Sequence, residues 1–248
     1  MIRELWLVGI GTGNPGHVTA EGLQAIRDAR VILLPRKGEG KEDLVHLREA
    51  IVAESGSQAR VVSFDYPVRD PSLPYGERVA RWHDEIALRW QGAAAEAGTP
   101  GPFALLVWGD PSLYDSTLRI AGRLDPKPKI RVVPGITALQ ALTAAHAIPL
   151  NNIDGAVTIT TGRQLRASGW PSGAETVAVM LDGEMSFREL PNLDLRIWWG
   201  AYLGMSEQIL IAGEVHAVIE EIVSARERAR AQHGWLMDTY LLQRSPSE

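Results

Sequence analysis

The sequence predicts an α/β protein built from two α/β/α domains, with a largely parallel sheet in the N-terminal domain and a mixed sheet in the C-terminal domain. In the first half, short apolar runs alternate with amphipathic helical patterns. In the second half, strands follow one another with fewer helices between them, which is typical of a mixed sheet. Residues 125–129 include two prolines. We therefore expect domains at 1–125 and 130–248, a hinge over 125–129, and a ligand cleft between the domains.

The N-terminal domain is expected to alternate strand and helix. Its apolar runs place strands at 5–10, 31–34, 60–64 and 103–108. Helical spacing of apolar residues places helices at 19–29, 41–54, 75–97 and near 112–124. In the longest of these helices, large side chains recur every three or four residues: Tyr75, Val79, Trp82, Ile86 and Trp90. We assign the two tryptophans among them to the core.

The C-terminal domain is expected to contain more strands than helices. Strands are predicted at 130–133, 156–161, 176–181, 195–203 and 235–242, with a Gly/Ser loop between the second and the third. Helices are predicted at 136–147, which is rich in small residues, and at 213–231, which has one apolar face.

Composition excludes several kinds of chemistry. The chain of 248 residues contains no cysteine, which rules out thiolate nucleophiles, iron–sulfur clusters and redox switches. Its six histidines form no metal-binding motif, so we expect no metal. No Lys/Arg run indicates a nucleic-acid partner, and no apolar run approaches the roughly 18 residues of a membrane span. No targeting segment is recognisable either, so we expect a cytoplasmic protein that binds neither nucleic acid nor membrane.

A glycine-rich turn follows the first predicted strand. Gly11, Gly13 and Gly16 match the pattern G-x-G-x-x-G, which lets backbone N–H groups approach a ligand. In a dinucleotide-binding module, Arg36 after the second strand would lie where NADP enzymes bind the 2′-phosphate. The following helix begins late, near Thr19, and Gly9 rather than Gly11 comes first in the turn, so a purely structural turn also stays open at this point.

Three further motifs lie at predicted strand ends, where ligands of α/β proteins bind. Considered alone, the first two have structural interpretations: the first contains an aspartate suited to the start of a helix, and the second fits an ordinary turn. The third is a weak signal by itself. None matches a P-loop or a G-x-S-x-G nucleophile elbow. The three motifs are Gly109-Asp110-Pro111, Pro134-Gly135-Ile136-Thr137 and Thr161-Gly162-Arg163.

In their order along the chain, these motifs resemble those of the tetrapyrrole (precorrin/uroporphyrin) methylase family. The family pattern is a VGxGPGD loop, then GDP, PGIT(S/A), GIP, TG(H/R) and a TVVxLM strand, and the resemblance extends over essentially the whole chain. The matching segments are Val8-Gly9-Ile10-Gly11-Thr12-Gly13-Asn14, Gly109-Asp110-Pro111, Pro134-Gly135-Ile136-Thr137-Ala138, Ala147-Ile148-Pro149, Thr161-Gly162-Arg163 and Thr176-Val177-Ala178-Val179-Met180-Leu181.

Departures from this pattern indicate a branch of the family. Most members have proline at Thr12, aspartate at Asn14 and glycine at Trp108. Together with residues 29–38 and 234–242, these departures resemble the branch that methylates C1 of precorrin-5 in cobalamin (vitamin B12) biosynthesis and releases acetate. The alternative within the family is a precorrin methyltransferase with a different target carbon.

The resemblance implies a cofactor, a substrate and an assembly. It implies S-adenosyl-L-methionine as methyl donor, S-adenosyl-L-homocysteine as product, no metal, a precorrin substrate and a homodimer. Among the implied contacts, the ring of Tyr114 or Tyr202 would suit the sulfonium cation. The implied cofactor-binding residues are Thr12, Trp108, Gly109, Asp110, Leu113, Tyr114, Thr137, Ala138, Leu181 and Tyr202.

Two roles depend on polar side chains near these turns. Release of acetate requires a base that activates water, and the candidates by proximity are Asp110, His17 and Tyr114. A precorrin carries many carboxylates, whereas the chain has a net charge of −5. Local cations must therefore bind the substrate, and the basic residues nearest the glycine turns are Arg36, Lys37 and Arg163.

Overall fold

The strands of the chain form two separate sheets. The computed structural model describes residues 1–36, 42–190 and 194–244. Contacts divide the chain into two compact units, Met1–Thr137 and Ala138–Glu248. Each unit contains a five-stranded sheet. The predicted fold class is confirmed, because the first sheet is parallel and the second is mixed.

The first sheet is buried on both faces. Its strands are β1 (Glu4–Gly9), β2 (Val31–Arg36), β3 (Arg60–Asp65), β4 (Phe103–Val107) and β5 (Lys129–Val133), in the order β3-β2-β4-β1-β5. Since neither face of the central strands is exposed, their apolar residues run on without the alternation of a half-exposed strand.

Helices cover both faces of this sheet. They are α1 (Ala20–Asp28), α2 (Glu42–Ser55), α3 (Tyr75–Ala97) and α4 (Thr117–Ala121). Successive residues of β1 point to opposite faces, so Trp6 packs in one cluster with α1 and α2, and Leu5 packs in the other with α3 and α4. Trp90 of α3 is completely buried, as predicted, whereas Tyr75 at the start of the helix is exposed.

The second sheet combines both strand directions. Its strands are β6 (Val157–Thr161), β7 (Thr176–Met180), β8 (Leu195–Ala201), β9 (Ile209–Glu214) and β10 (Asp238–Arg244), in the order β6-β7-β10-β8-β9. β6 and β7 are parallel, and β10 is antiparallel to both β7 and β8. The helices of this unit are α5 (Ala138–His146), α6 (Gly162–Ser168) and α7 (Val215–His233).

The division between the units lies further along the chain than the proline-rich segment suggests. β5 pairs with β1 from Glu4↔Lys129 to Val8↔Val133, so residues 130–133 belong to the N-terminal sheet. The first unit ends at Thr137 rather than at residue 125. The two prolines within residues 125–129 therefore lie in the turn between α4 and β5.

Two local predictions are also corrected. The helix expected near 112–124 is only Thr117–Ala121, because the carboxylates of Asp110 and Asp115 bind nearby backbone N–H groups and hold the preceding residues in turns. The Gly/Ser loop expected after β6 begins with α6, which Thr161 caps by accepting from the Gln164 N–H at 3.3 Å. The strand β9 has no counterpart among the predicted elements.

Candidate active site

The turns after three neighbouring strands are in backbone contact. Gly9, Gly109 and Gly135 follow or end β1, β4 and β5, which are adjacent in the first sheet. A Cβ on Gly135 would lie 2.2 Å from the Gly109 carbonyl oxygen, and a Cβ on Gly9 would lie 2.6 Å from the Gly135 nitrogen. Glycine is therefore required at Gly9 and Gly135 by the close approach of one backbone to another.

A short backbone ladder joins the first glycine loop to the Gly109-Asp110-Pro111 turn. The Gly109 N–H donates to the Gly11 carbonyl at 2.7 Å, and the Gly11 N–H donates back at 3.3 Å. Gly109 has φ 67°, in the left-handed region. A Cβ there would lie 3.9 Å from the Thr137 Cα, in ordinary contact. Gly109 is thus required for its conformation, and space remains beside it.

Asp110 fastens two of these turns together. Its Oδ1 accepts from the Ser112 N–H at 2.8 Å and from the Ser112 hydroxyl at 2.5 Å, and its Oδ2 accepts from the Gly135 N–H at 2.8 Å. Burial alone would raise the pKa of Asp110, but these hydrogen bonds outweigh it and hold the pKa below its usual value. The carboxylate is ionised, a weak base, and fully engaged in holding the turn.

His17 and Thr12 lie beside the glycine ladder. His17 belongs to a 3-10 turn over Pro15–His17, and its Nδ1 is 3.3 Å from the Thr12 hydroxyl. A Cβ on Gly11 would lie 2.3 Å from the His17 Cβ, so the histidine packs directly on the ladder. Burial lowers the pKa of His17, which makes the neutral imidazole the dominant form at pH 7.

The residues that follow Asp110 form a turn. Leu113 donates its N–H to the Asp110 carbonyl at 3.3 Å, and Tyr114 has φ 49° with 41% of its surface exposed. A bulky residue in the left-handed region is strained, and such strain concentrates at ligand sites. Burial raises the pKa of Tyr114, so its phenol is protonated at pH 7.

Predicted contact residues of the second unit share one edge of its sheet. β6, β7 and β8 run in the same direction, since β10 is antiparallel to both β7 and β8. Leu181 and Tyr202 directly follow the carboxyl ends of β7 and β8, and Arg163 lies two residues after the end of β6. Ala138 is the first residue of α5 in the same unit.

Leu181 and Tyr202 differ in what their side chains offer. Both have positive φ, 54° and 49°. Leu181 is 68% exposed, which is unusual for a leucine that follows a buried strand. Tyr202 is 2% exposed, and its hydroxyl donates to the Trp235 carbonyl at 2.5 Å. The Tyr202 ring is therefore buried rather than open to a sulfonium cation, and the role of Tyr202 as a cofactor contact stays a prediction.

A second aspartate, which the sequence did not single out, fastens the turn after Leu181. The Asp182 carboxylate accepts from the Tyr240 hydroxyl at 2.6 Å and from the N–H and hydroxyl of Ser186 at 2.6 and 2.8 Å. Burial would raise the pKa of Asp182, but these bonds lower it overall. The signal in the sequence is an Asp-Gly pair directly after an apolar strand, as in Gly109-Asp110 but with the order reversed.

A family model described as Tetrapyrrole (Corrin/Porphyrin) Methylases matches residues 4–219. The chain belongs to the tetrapyrrole methylase family. A curated member, a precorrin-6A synthase (deacetylating) from Sinorhizobium sp, is 42% identical over 98% of this chain and 96% of its own length. The resemblance inferred from the order of the motifs is thus confirmed.

Solved structures of similar proteins agree with this assignment. One is described as a cobalamin synthesis related protein (CobF) from Corynebacterium diphtheriae; it is 37% identical, covers 98% of this chain and 99% of its own, and has a TM-score of 0.83. A uroporphyrin-III C-methyltransferase from Thermus thermophilus, solved in complex with S-adenosylhomocysteine, is 18% identical with a TM-score of 0.61 over 97% and 92% of the two chains. The latter shows the shared fold.

Within this tetrapyrrole methylase, the geometry of the first loop disagrees with a dinucleotide-binding fingerprint. A 3-10 turn intervenes after the glycines, and α1 begins only at Ala20, where Thr19 accepts from the Gly22 N–H at 3.0 Å and caps the helix. The loop therefore does not lead a phosphate to a helix N-terminus. Arg36, the expected 2′-phosphate partner, has its Nε 3.3 Å from a carboxylate oxygen of Asp65.

The predicted substrate-binding cations lie in different places. Arg36 is the exposed last residue of β2 and forms its ion pair at the edge of the first sheet. Arg163 is exposed in the first turn of α6, in the second unit. Lys37 lies outside the described residues. Their role in binding substrate stays a prediction.

The described part of the chain contains neither a metal-binding cluster nor a helix suited to span a membrane. Across residues 1–36, 42–190 and 194–244, no group of three His, Cys, Asp or Glu side chains is placed to hold a metal ion. Over the same ranges, no helix has both the length and the apolar character needed to cross a bilayer.

Proposed function

We propose that this tetrapyrrole methylase is a precorrin-6A synthase of the deacetylating type. It would transfer a methyl group from S-adenosyl-L-methionine to C1 of precorrin-5 and release the extruded two-carbon unit as acetate. The observation that carries the proposal is the 42% identity to the Sinorhizobium enzyme over nearly the full length of both chains. The glycine turns at the carboxyl ends of β1, β4 and β5 offer the backbone N–H and carbonyl groups with which such an enzyme would hold its methyl donor.

S-adenosyl-L-methionine fits the open backbone at these turns. The Gly109 backbone is left-handed, and a Cβ on Gly109 would enter the space beside Thr137. We expect the N–H and carbonyl groups around Gly109, Tyr114 and Thr137 to hold the cofactor, with the exposed ring of Tyr114 against its cationic part. When bound, S-adenosyl-L-methionine supplies an electrophilic methyl group.

In the second unit, the proposed cofactor contacts are Ala138, Leu181 and Tyr202. The positive φ of Leu181 and Tyr202 supports the proposal, because residues held in this conformation concentrate at ligand sites. Leu181 would contribute its exposed side chain, and Tyr202 its backbone alone. Thr12, Trp108 and the other implied contacts of the first unit keep their proposed role.

Methyl transfer places few demands on the side chains. The acceptor carbon of an electron-rich tetrapyrrole is itself a nucleophile, so the protein has mainly to hold donor and acceptor in line. Positioning of this kind is worth up to about 7–11 kcal/mol. The rigid, glycine-packed turns at the edge of the first sheet are suited to this role, because their backbones are fixed by direct contact and by the Asp110 hydrogen bonds.

Release of acetate needs a base that activates water, and the three candidates are unequal. Asp110 has both oxygens occupied and a lowered pKa. Tyr114 is a protonated phenol at pH 7 because burial raises its pKa. His17 is neutral at pH 7 because burial lowers its pKa, so its imidazole is unprotonated, and unlike the ionised Asp110 it accepts no backbone N–H of the described residues that fastens a turn. We therefore propose His17 for this step.

The test is incubation of the purified protein with precorrin-5 and S-adenosyl-L-methionine, followed by measurement of both products. We expect one methyl group incorporated for each acetate released. Methylation without acetate would instead support the precorrin methyltransferase with a different target carbon. Failure of S-adenosyl-L-homocysteine to raise the melting temperature, with NADP raising it, would contradict the methyltransferase proposal and support a dinucleotide-binding module.

We further propose a cytoplasmic homodimer. The support is the membership of the chain in the tetrapyrrole methylase family, from which both properties are expected. Light scattering coupled to size-exclusion chromatography would measure the assembly, and a mass near 27.1 kDa would contradict the dimer.

A further inference from the structure

β2 and β4 separate before their carboxyl ends. β4 pairs with β1 along its whole length, but it pairs with β2 only as far as Leu33↔Leu105. In the continued register, the Leu106 carbonyl would face the nitrogen of Pro35, which has no hydrogen to donate. The ladder therefore stops, and beyond it the ends of the two strands are unpaired; we call the place between these ends the crevice.

The crevice lies at a reversal of strand order. β2 leads through α2 to β3 on one side, and β4 leads through α4 to β5 on the other, with α2 and α4 on opposite faces of the sheet. In open α/β sheets, ligands bind outside the carboxyl ends of strands at such switch points.

Arg48 of α2 occupies this crevice. It is 6% exposed; its Nε donates to the Leu106 carbonyl at 3.3 Å and its Nη1 donates to the Leu44 carbonyl at 2.9 Å. The guanidinium therefore takes the place of the missing Pro35 N–H. It has five N–H donors, and these two bonds use only two of them.

The positive charge of Arg48 has no close counter-ion among the side chains that the structure describes. Among the side chains of residues 1–36, 44–190 and 194–244, no carboxylate lies within 4.0 Å of its guanidinium nitrogens. Asp115 attracts it from further away, but one Asp115 oxygen already accepts from the Thr117 N–H and hydroxyl. Tyr66 nearby is a neutral phenol at pH 7, because burial raises its pKa to about 12. A buried cation in this state is costly unless an anion completes it.

Two aromatic residues, Trp108 and Tyr66, lie near the charge. The Arg48 guanidinium carbon is 5.9 Å from the centre of the half-buried Trp108 ring, which directly precedes Gly109. Tyr66, which follows β3, stacks on Trp82 with ring centres 5.7 Å apart. A cation beside the flat Trp108 ring, next to the proposed cofactor turn, suits a macrocycle that carries acidic side chains.

We infer that Arg48 binds a carboxylate of the tetrapyrrole substrate in the crevice between β2 and β4. The inference rests on the proposed function, and it adds a binding residue to those expected from sequence. Arg36 already has Asp65 as partner, whereas Arg48 is deeper and lies beside Trp108. The signal in the sequence is a charged residue on the apolar face of α2, at helical spacing from Leu44 and Ile51.

The test uses uroporphyrin III, a stable tetrapyrrole octacarboxylate, as the probe, and its binding is followed by quenching of tryptophan fluorescence. Arg48→Gln keeps an N–H donor for a backbone carbonyl but removes the charge, and we expect its dissociation constant to rise about 10- to 100-fold. Arg48→Lys keeps the charge and should bind more tightly than Arg48→Gln. Arg60→Gln is the matched control. Arg60 also donates to a backbone carbonyl, that of Ala97 at 3.2 Å, but it is the first residue of β3 and so lies at the amino ends of the strands, away from the crevice at their carboxyl ends.

A purely structural role for Arg48 would give a different pattern. If the role were structural, Arg48→Gln would disturb the Trp108–Gly109 turn and lower the affinity for S-adenosyl-L-homocysteine. If Arg48 binds a substrate carboxylate, calorimetry should give the same S-adenosyl-L-homocysteine affinity for Arg48→Gln and wild type. Equal uroporphyrin affinity of wild type and Arg48→Gln would overturn the inference and leave the proposed function intact. Absence of uroporphyrin binding by the wild-type protein would count against tetrapyrrole binding altogether, and so against both.

A measurement on the wild-type protein covers the case in which Arg48→Gln does not fold. The Nε–H resonance of Arg48, assigned by its loss in Arg48→Lys, is expected to shift when uroporphyrin is added. An unchanged resonance at saturating uroporphyrin would overturn the inference.

Discussion

Asp110 provides the most decisive test of the site, because the structure makes it a fastener of turns rather than a base. In Asp110→Asn, an amide NH₂ replaces one carboxylate oxygen. The less costly orientation keeps the oxygen towards Ser112 and turns the NH₂ towards the Gly135 N–H, so that two donors face each other. One charge-assisted hydrogen bond is lost, at a cost of about 1.5–3 kcal/mol in the free energy of unfolding. For a chain of this length, the melting temperature should fall by about 3–12 °C.

The pH dependence follows from the lowered pKa of Asp110. A carboxylate with a folded-state pKa below its unfolded value of about 3.9 stabilises the protein above that value, and the stabilisation is lost as the pH falls through the folded-state pKa. The difference in unfolding free energy between wild type and Asp110→Asn should therefore be constant from about pH 8 to 5 and shrink only below about pH 4.

Urea unfolding across this pH range, together with S-adenosyl-L-homocysteine affinity and the rate of methyl transfer, would measure these effects. Ser112→Ala is the matched control, because it removes only the hydroxyl donor to Asp110 and should cost about 1 kcal/mol. The two changes should be non-additive, since they share one hydrogen-bond network. If Asp110→Asn kept the stability and cofactor affinity of the wild type but lost acetate release, Asp110 would be the base and the reasoning would be refuted.

Three further substitutions separate conformation, contact and burial at the proposed cofactor turns. Gly109→Ala should cost about 1–2 kcal/mol of backbone strain, because φ is 67°. It should also lower the affinity for S-adenosyl-L-homocysteine at least about tenfold in calorimetry, because its Cβ would enter the open space beside Thr137. Gly92→Ala, at an open position on α3, is the control and should retain affinity. Gly135→Ala should lower the melting temperature far more than Gly109→Ala, since its Cβ would lie 2.2 Å from the Gly109 oxygen, and equal losses would contradict the backbone contact. Leu181→Gly should leave the melting temperature nearly unchanged, because it relieves a positive φ of 54° and removes a side chain that is 68% exposed, while cofactor affinity falls; a large thermal loss with unchanged affinity would argue that Leu181 is structural.

The local pattern of the chain accounts for much of the fold. A strand buried on both faces must be apolar throughout, so the apolar run at 5–10 predicts a parallel β1. A helix that packs against a sheet must repeat its apolar residues every three or four positions, so the pattern at 75–97 predicts α3. The motifs at strand ends could be located in the same way, since they follow the elements directly. The length of α4 could not, because Asp110 and Asp115 bind backbone groups that a helix would otherwise use.

The sequence by itself determined the fold class, the family, and the strand ends at which the proposed cofactor contacts lie. Only the tertiary structure decided what those residues do. Gly9 and Gly135 are more than a hundred residues apart and meet because β1 and β5 are neighbours. The Asp110 carboxylate accepts from the Gly135 N–H because β4 and β5 both flank β1, and Arg48 is a buried cation beside Leu106 where β2 and β4 part at Pro35. The physical reason is that periodicity along a chain reports which faces are buried, whereas hydrogen-bond and charge partners are set by strand order, which brings together residues that are distant in sequence.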